Sequence, residues 1–153
     1  MSEKKSKKIL WIEDDHYHLR GLTRPLTKDG YEIIAAKSYN QAVIELDKHK
    51  EDLCLILLDL IIPRSLTDAT EPKESEGEFH NKIEKPIDLV ENGMGLLNYI
   101  KQELKLTIPV IVLSIVRNDD IIKRLENNGV KRIAKFGLLP NKLKELVLKE
   151  LSL

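Results

Sequence analysis

The chain has 153 residues, 42% of them apolar and 33% charged, with 25 basic and 25 acidic side chains balancing to zero. That length and apolar share suit one globular domain and exclude a wholly disordered chain, while the neutral balance argues against direct nucleic-acid binding. With Cys54 as its single cysteine, the chain can form neither an internal disulfide nor a cysteine-rich zinc site.

Residues 1–7, which include Lys4, Lys5 and Lys7, read as a flexible basic tail without the apolar core of a secretory signal. No apolar run approaches the roughly 18 residues that cross a bilayer, so the expectation is a cytoplasmic protein without membrane contact. One domain then fills residues 8–153. Ile9-Leu10-Trp11-Ile12, residues 53–58 and Pro109-Val110-Ile111-Val112-Leu113 are short, continuous apolar runs. Such runs predict strands buried on both faces, as in a parallel sheet covered by helices. Weaker strands are expected at 31–36 and 130–134.

Helices alternate with these strands. Residues 15–28 place Leu19, Leu22 and Leu26 at helical spacing, with Pro25 expected to kink the helix and Gly30 to cap its end. Ser38 and Gln41 form a capping-box pattern ahead of a helix over 39–49. Further helices are predicted at 93–104, 119–128 and 140–151, the last opened by Pro140. The alternation predicts a doubly wound α/β fold, a three-layer sandwich around a five-stranded parallel sheet.

Residues 64–92 break the pattern. Eight acids against four bases leave this stretch a net charge of −4, and it carries Pro72 and Pro86. It reads as an acidic insertion between the third strand and third helix, since loops this long are usually lids or insertions. Phe79, Ile83, Ile87, Leu89 and Val90 could dock its second half on the body.

In an open parallel sheet, ligands bind beyond the carboxyl ends of the strands, where the strand order reverses. In the flavodoxin-like order 2-1-3-4-5 the first and third strands are central neighbours. Glu13, Asp14 and Asp15 follow the first and Asp59 ends the third; Ser114 closes the fourth and Lys135 follows the fifth. Crowded carboxylates repel unless a cation neutralises them. An all-oxygen set suits Mg²⁺, which takes one or two carboxylates and shares a phosphate. A carboxylate beside the ion can attack a phosphoryl group and form an acyl phosphate, with Lys135 pairing with phosphoryl oxygens and Ser114 donating to one. The competing structural roles are helix capping for Glu13, Asp14 and Ser114, turn formation for Asp59 and a solvated surface position for Lys135. His16 and His18, two apart on a helix, cannot chelate together and are expected at the surface. Cys54 is expected to be a small buried apolar residue. Gly93-Met94-Gly95 lacks the strand and third glycine of a dinucleotide fingerprint.

This constellation resembles the response-regulator receiver domain of two-component signalling. Ile9 to Asp15 resembles its first strand and acidic pair. Leu57-Leu58-Asp59-Leu60-Ile61-Ile62-Pro63 resembles its phosphoacceptor motif, and Gly93-Met94-Gly95-Leu96-Leu97 the opening of its third helix. Ile108 to Ser114 resembles its fourth strand and switch hydroxyl, and Gly129-Val130 with Lys135 its fifth-strand region. The resemblance implies Mg²⁺ held by Glu13, Asp14, Asp59 and the Ile61 carbonyl, a helix-capping Asp15, phosphorylation on Asp59, and assisting roles for Ser114 and Lys135.

It further implies a single-domain response regulator that is not an enzyme. Its phosphoryl group would come from a histidine kinase or phosphotransfer protein. No output segment follows Leu153, so its output is expected to be contact with a downstream protein. Fourth helix, fifth strand and fifth helix form the implied contact face, open also to a homodimer. Ile61 and Val116 offer no group to position water, which suggests slow self-dephosphorylation. The sequence departs from the family at Phe136-Gly137 after Lys135, where a proline is usual. It departs again at Arg132 or Ile133 in place of an aromatic, at Ile115 in place of a small residue, and in the insertion. These departures carry the alternative of a degenerate receiver serving as a phosphorylation-independent adapter.

Overall fold

A computed structural model describes residues 6–65, 86–116 and 118–152. Five strands form one parallel sheet in the order β2-β1-β3-β4-β5. They are β1 (Lys8–Ile12), β2 (Glu32–Ala36), β3 (Leu53–Asp59), β4 (Val110–Ser114) and β5 (Lys131–Ala134). The three continuous apolar runs occupy the three central positions, and β4 is buried at every residue. The edge strands β2 and β5 are only partly covered, which accounts for their weaker apolar patterns.

The first helical segment is three pieces rather than one kinked helix. It comprises α1 (His16–Leu19), a 3₁₀ turn (Arg20–Thr23) and α2 (Arg24–Lys28). Pro25 sits in the first turn of α2, where its missing N–H costs nothing. Gly30, at φ +92°, ends this segment in the left-handed conformation that glycine adopts without strain.

Helix α3 (Tyr39–His49) is capped by Ser38, whose Oγ accepts from Gln41 N–H at 3.1 Å. Gln41 Oε1 accepts from Lys37 N–H at 2.7 Å, one residue outside the usual box. Helices α4 (Pro86–Asn98), α5 (Asp119–Asn127) and α6 (Pro140–Leu151) follow, with α4 continuing into a π-helical turn over Tyr99–Glu103. Helix α4 starts seven residues before the expected Gly93, so 86–92 belong to a packed helix and not to the insertion. Leu89 and Val90 are half-buried, and Val90 packs against the core.

Alternating strand residues feed two cores. One face carries Leu10, Ile12, Ile56, Leu58 and Val112 against α3, α4 and α5. The other carries Ile9, Trp11, Leu57, Ile111 and Leu113 against the first helical segment and α6. The result is a three-layer sandwich, as the alternation of elements predicts.

Residues 1–5 of the expected tail, the 66–85 part of the expected insertion with Phe79 and Ile83, and the side chains of His18 and Ile87 lie outside the described residues. Ser6 and Lys7 are not a free tail: Ser6 Oγ donates to the Asp52 carbonyl, and Glu32 N–H donates to the Lys7 carbonyl at 2.8 Å. His16 is half-buried rather than fully at the surface. One ring nitrogen is bonded to the Trp11 carbonyl at 3.0 Å and the ring meets Trp11 edge-on; burial lowers its pKa. Cys54 is half-buried, and burial raises its thiol pKa. Among the described residues, no helix is long and apolar enough to cross a membrane.

Candidate functional site

The strand register builds the site. Ile12 pairs with Leu58, and Asp59 with Leu113. Glu13 stands one step beyond Ile12, level with Asp59. Side chains alternate along a strand, so Glu13 continues the face of Ile9 and Trp11, Asp59 that of Leu57, and Lys135 that of Ile133, all three on the second core's side. Residues distant in sequence thus converge at one sheet edge.

Glu13 and Asp59 are both buried, at 1% and 4% exposure, whereas Asp14 is exposed. Carboxylate oxygens of Glu13, Asp14 and Asp59 lie within 4.8 Å of one another. Lys135 Nζ bridges the buried pair, 2.6 Å from Glu13 Oε1 and 2.8 Å from Asp59 Oδ2. The remaining oxygens are also engaged: Asp15 N–H donates to Glu13 Oε2 at 3.2 Å, and Ile61 N–H to Asp59 Oδ1 at 3.0 Å. Lys135 N–H donates to the Ser114 carbonyl at 3.1 Å, which seats the lysine at the edge of β4.

Burial and the nearby Asp59 carboxylate push the Glu13 pKa up to about 8, against the pull of Lys135. Burial of Lys135 lowers its own pKa, but hydrogen bonds to Asp59 and Glu13 outweigh this and leave it raised. Among the described residues, one ammonium faces three carboxyl groups, a deficit of positive charge that a divalent cation would fill. The all-oxygen donor set and the solvent access at Asp14 fit Mg²⁺.

The structure therefore brings Glu13, Asp14, Asp59 and Lys135 together and places Ile61 in the turn that folds back on Asp59. Ser114 is fully buried at the end of β4, but it continues the face of Val112, opposite to Asp59. Its Oγ accepts from Val116 N–H at 2.9 Å and is not bonded to the carboxylates. Asp15 occupies the N-cap position of α1 without a side-chain capping bond.

Asn92 is a residue that the sequence reasoning missed. It is buried and its Nδ2 donates to the Ile62 carbonyl at 3.0 Å, which ties the loop after Asp59 to α4. The available signal was its place, with Gly93, on the apolar stripe of Leu89, Leu96 and Leu97. Gly93 lets the same helix touch that loop, since a Cβ there would lie 2.2 Å from the Leu60 carbonyl oxygen.

No family model matches the sequence, and no curated protein matches it. Solved structures do match. A CheY-like response regulator receiver domain protein from Methanospirillum hungatei aligns at TM-score 0.68 and 18% identity, covering 97% of this chain and 95% of that one. The non-phosphorylated HemR receiver domain from Leptospira biflexa aligns at TM-score 0.68 and 20% identity, covering 98% and 96%. A chain of the CheX-CheY-BeF3-Mg complex from Borrelia burgdorferi is the third example, where the match has TM-score 0.67 and 21% identity over 93% and 87%. Strand order, helix placement and these alignments agree: the chain has the fold of the response-regulator receiver domain.

Proposed function

We propose that this chain is a response regulator that accepts a phosphoryl group on Asp59 from a phosphohistidine of a kinase or phosphotransfer protein. The observation that carries this reading is the buried Asp59 carboxylate, set against Glu13 and Asp14 and bonded by Lys135 and Ile61. An Asp59 oxygen forms the new bond to phosphorus while the phosphorus–nitrogen bond breaks; the imidazole leaves with that electron pair and takes up a proton. Glu13, Asp14 and Asp59, with the Ile61 carbonyl, would hold Mg²⁺, which when bound neutralises charge on the phosphoryl oxygens. Lys135 stays within reach of the same oxygens, and its raised pKa keeps it protonated as a donor.

The protein is a stoichiometric phosphoacceptor rather than a turnover catalyst. The apolar side chains of Ile61 and Val116 cannot orient a water, so loss of the phosphoryl group is slow. Its output is contact with another protein, or with a second copy, through α5, β5 and α6. Phe136 and Leu139, exposed at 86% and 67% between β5 and α6, enlarge the apolar part of that face. Mass spectrometry after incubation with Mg²⁺ and acetyl phosphate tests the reading: wild type gains one base-labile phosphate and Asp59→Asn gains none. No gain in wild type, or an equal gain in Asp59→Asn, overturns it and leaves a phosphorylation-independent adapter.

A further inference from the structure

Val116, two residues beyond β4, is held through both of its peptide groups. Its N–H donates to Ser114 Oγ at 2.9 Å, and its carbonyl accepts from Arg132 Nη2. Its side chain packs against the core under α3, α4 and α5. Arg132 pairs with Val112 across the β4–β5 ladder, so it projects on the face that Val112 and Ser114 share. The guanidinium is only half used, because among the described residues its buried Nε–H has no acceptor, a costly state for a charged donor.

We infer that Arg132 is a positioning residue that clamps the Val116 peptide and thereby holds the Ser114 hydroxyl away from Asp59. The inference rests on the phosphoacceptor reading above. Ser114 starts on the sheet face opposite to Asp59, with its Oγ serving as acceptor for Val116 N–H. To donate to a phosphoryl oxygen on Asp59 the hydroxyl must turn, and turning withdraws that acceptor. The Val116 N–H must then move to a new partner, and it moves only if the bond between Arg132 and the Val116 carbonyl yields. That bond is charge-assisted and is among the stronger hydrogen bonds available to a backbone carbonyl. The unspent Nε–H favours a second arrangement in which it finds an acceptor. Two arrangements of one loop, each satisfying a different donor, form a two-state element that the phosphoryl group biases. Arg132, one of the two residues that can stand where the family carries an aromatic, thus restrains by hydrogen bonding.

Two measurements on Arg132→Met and Arg132→Lys test this. Methionine keeps the stem without the donor, and lysine restores a cationic donor. In the protein without phosphodonor, the Val116 amide exchanges its hydrogen about tenfold faster in Arg132→Met than in wild type, and Arg132→Lys restores most of the protection. With Mg²⁺ and beryllofluoride as the phosphoryl mimic, Arg132→Met binds about tenfold more tightly than wild type and Arg132→Lys within about twofold of it. Unchanged Val116 exchange overturns the clamp. Faster exchange with unchanged or weaker beryllofluoride binding overturns its restraint of the site. Faster exchange while wild type binds no beryllofluoride overturns the phosphoacceptor reading and the coupling to it, and leaves a purely structural clamp.

Discussion

Replacing Lys135 by methionine removes the ammonium that bridges two buried carboxyl groups while keeping its stem. Its Nζ lies 2.6 Å from Glu13 and 2.8 Å from Asp59, and its side chain is 20% exposed. Breaking a fully buried ion pair by removing one partner costs about 3–5 kcal/mol. Partial exposure, and the ability of Glu13 to take up a proton, reduce this to about 2 kcal/mol. For a domain of this size that lowers the melting midpoint by about 4–8 °C.

The pH dependence follows from Glu13. Its folded pKa, about 8, lies above the unfolded carboxyl value. Its protonated form therefore stabilises the fold at low pH, and that stability is lost as pH rises through the folded pKa. Without Lys135 the carboxyl resists ionisation further. The deficit of Lys135→Met is then largest near pH 9, smaller near pH 6, and partly reversed by Mg²⁺ at the higher pH. Thermal denaturation at both pH values, with and without Mg²⁺, measures this. A deficit of equal size at pH 6 and pH 9 would refute the electrostatic account.

Asp59→Asn removes one of the two buried like charges, so the ion-free protein gains about 1 kcal/mol at pH 8 in urea denaturation. Gly93→Ala drives a Cβ to 2.2 Å from Leu60 backbone; neither segment can yield cheaply, and the expected loss is about 3 kcal/mol. Gly95→Ala in the same helix meets nothing nearer than Tyr39 at 3.8 Å and stabilises by about 0.5–1 kcal/mol; equal urea midpoints for the two variants would remove the steric argument. Ser38→Ala leaves the Gln41 N–H without its cap, and equilibrium unfolding registers a loss of about 1 kcal/mol.

Much of this architecture was legible in sequence because the fold depends on long-range pattern. Residues 9–12, 53–58 and 109–113 are apolar at consecutive positions because the sheet is covered on both faces, and that signal survives without knowledge of any contact. The acidic residues after β1 and Asp59 at the end of β3 were legible for a related reason: a charged residue directly behind such a run marks a strand end. The start of α4 was not. Its first turns, from Pro86, mix acids with apolar residues and follow a polar stretch, so local composition reads as loop; the packing of Val90 reveals the helix. The burial of His16 was equally hidden, because it follows from the Trp11 carbonyl and ring, a contact that spacing on one helix cannot show. Ser114 shows that nearness in topology is not contact. It stands at the correct strand end, yet strand alternation turns it to the other face, and parity along β4 already contained that information.

The length of chain between β3 and α4 raises a physical question, since the expected insertion begins at Arg64, five residues after the proposed phosphoacceptor. The answer lies in how its two ends are held. On the near side, Tyr39 N–H donates to the Pro63 carbonyl at 2.9 Å and Asn40 N–H to the Arg64 carbonyl at 3.0 Å. These are the first donors of α3, which no intrahelical carbonyl can satisfy. With Ser38 Oγ on Gln41 N–H, the helix start and the loop satisfy each other. The Arg64 guanidinium lies 4.1 Å over the Tyr39 ring, which adds a cation–π contact to the same junction. On the far side, Asn92 holds the Ile62 carbonyl and Gly93 admits the close contact with Leu60. Residues 60–64 are therefore fixed by α3 and α4 independently of what joins residue 65 to residue 86. Loop closure entropy grows only slowly with length, so a long connection between two anchored ends adds little cost. The geometry of Asp59 depends on those anchors and not on the length of chain that separates them.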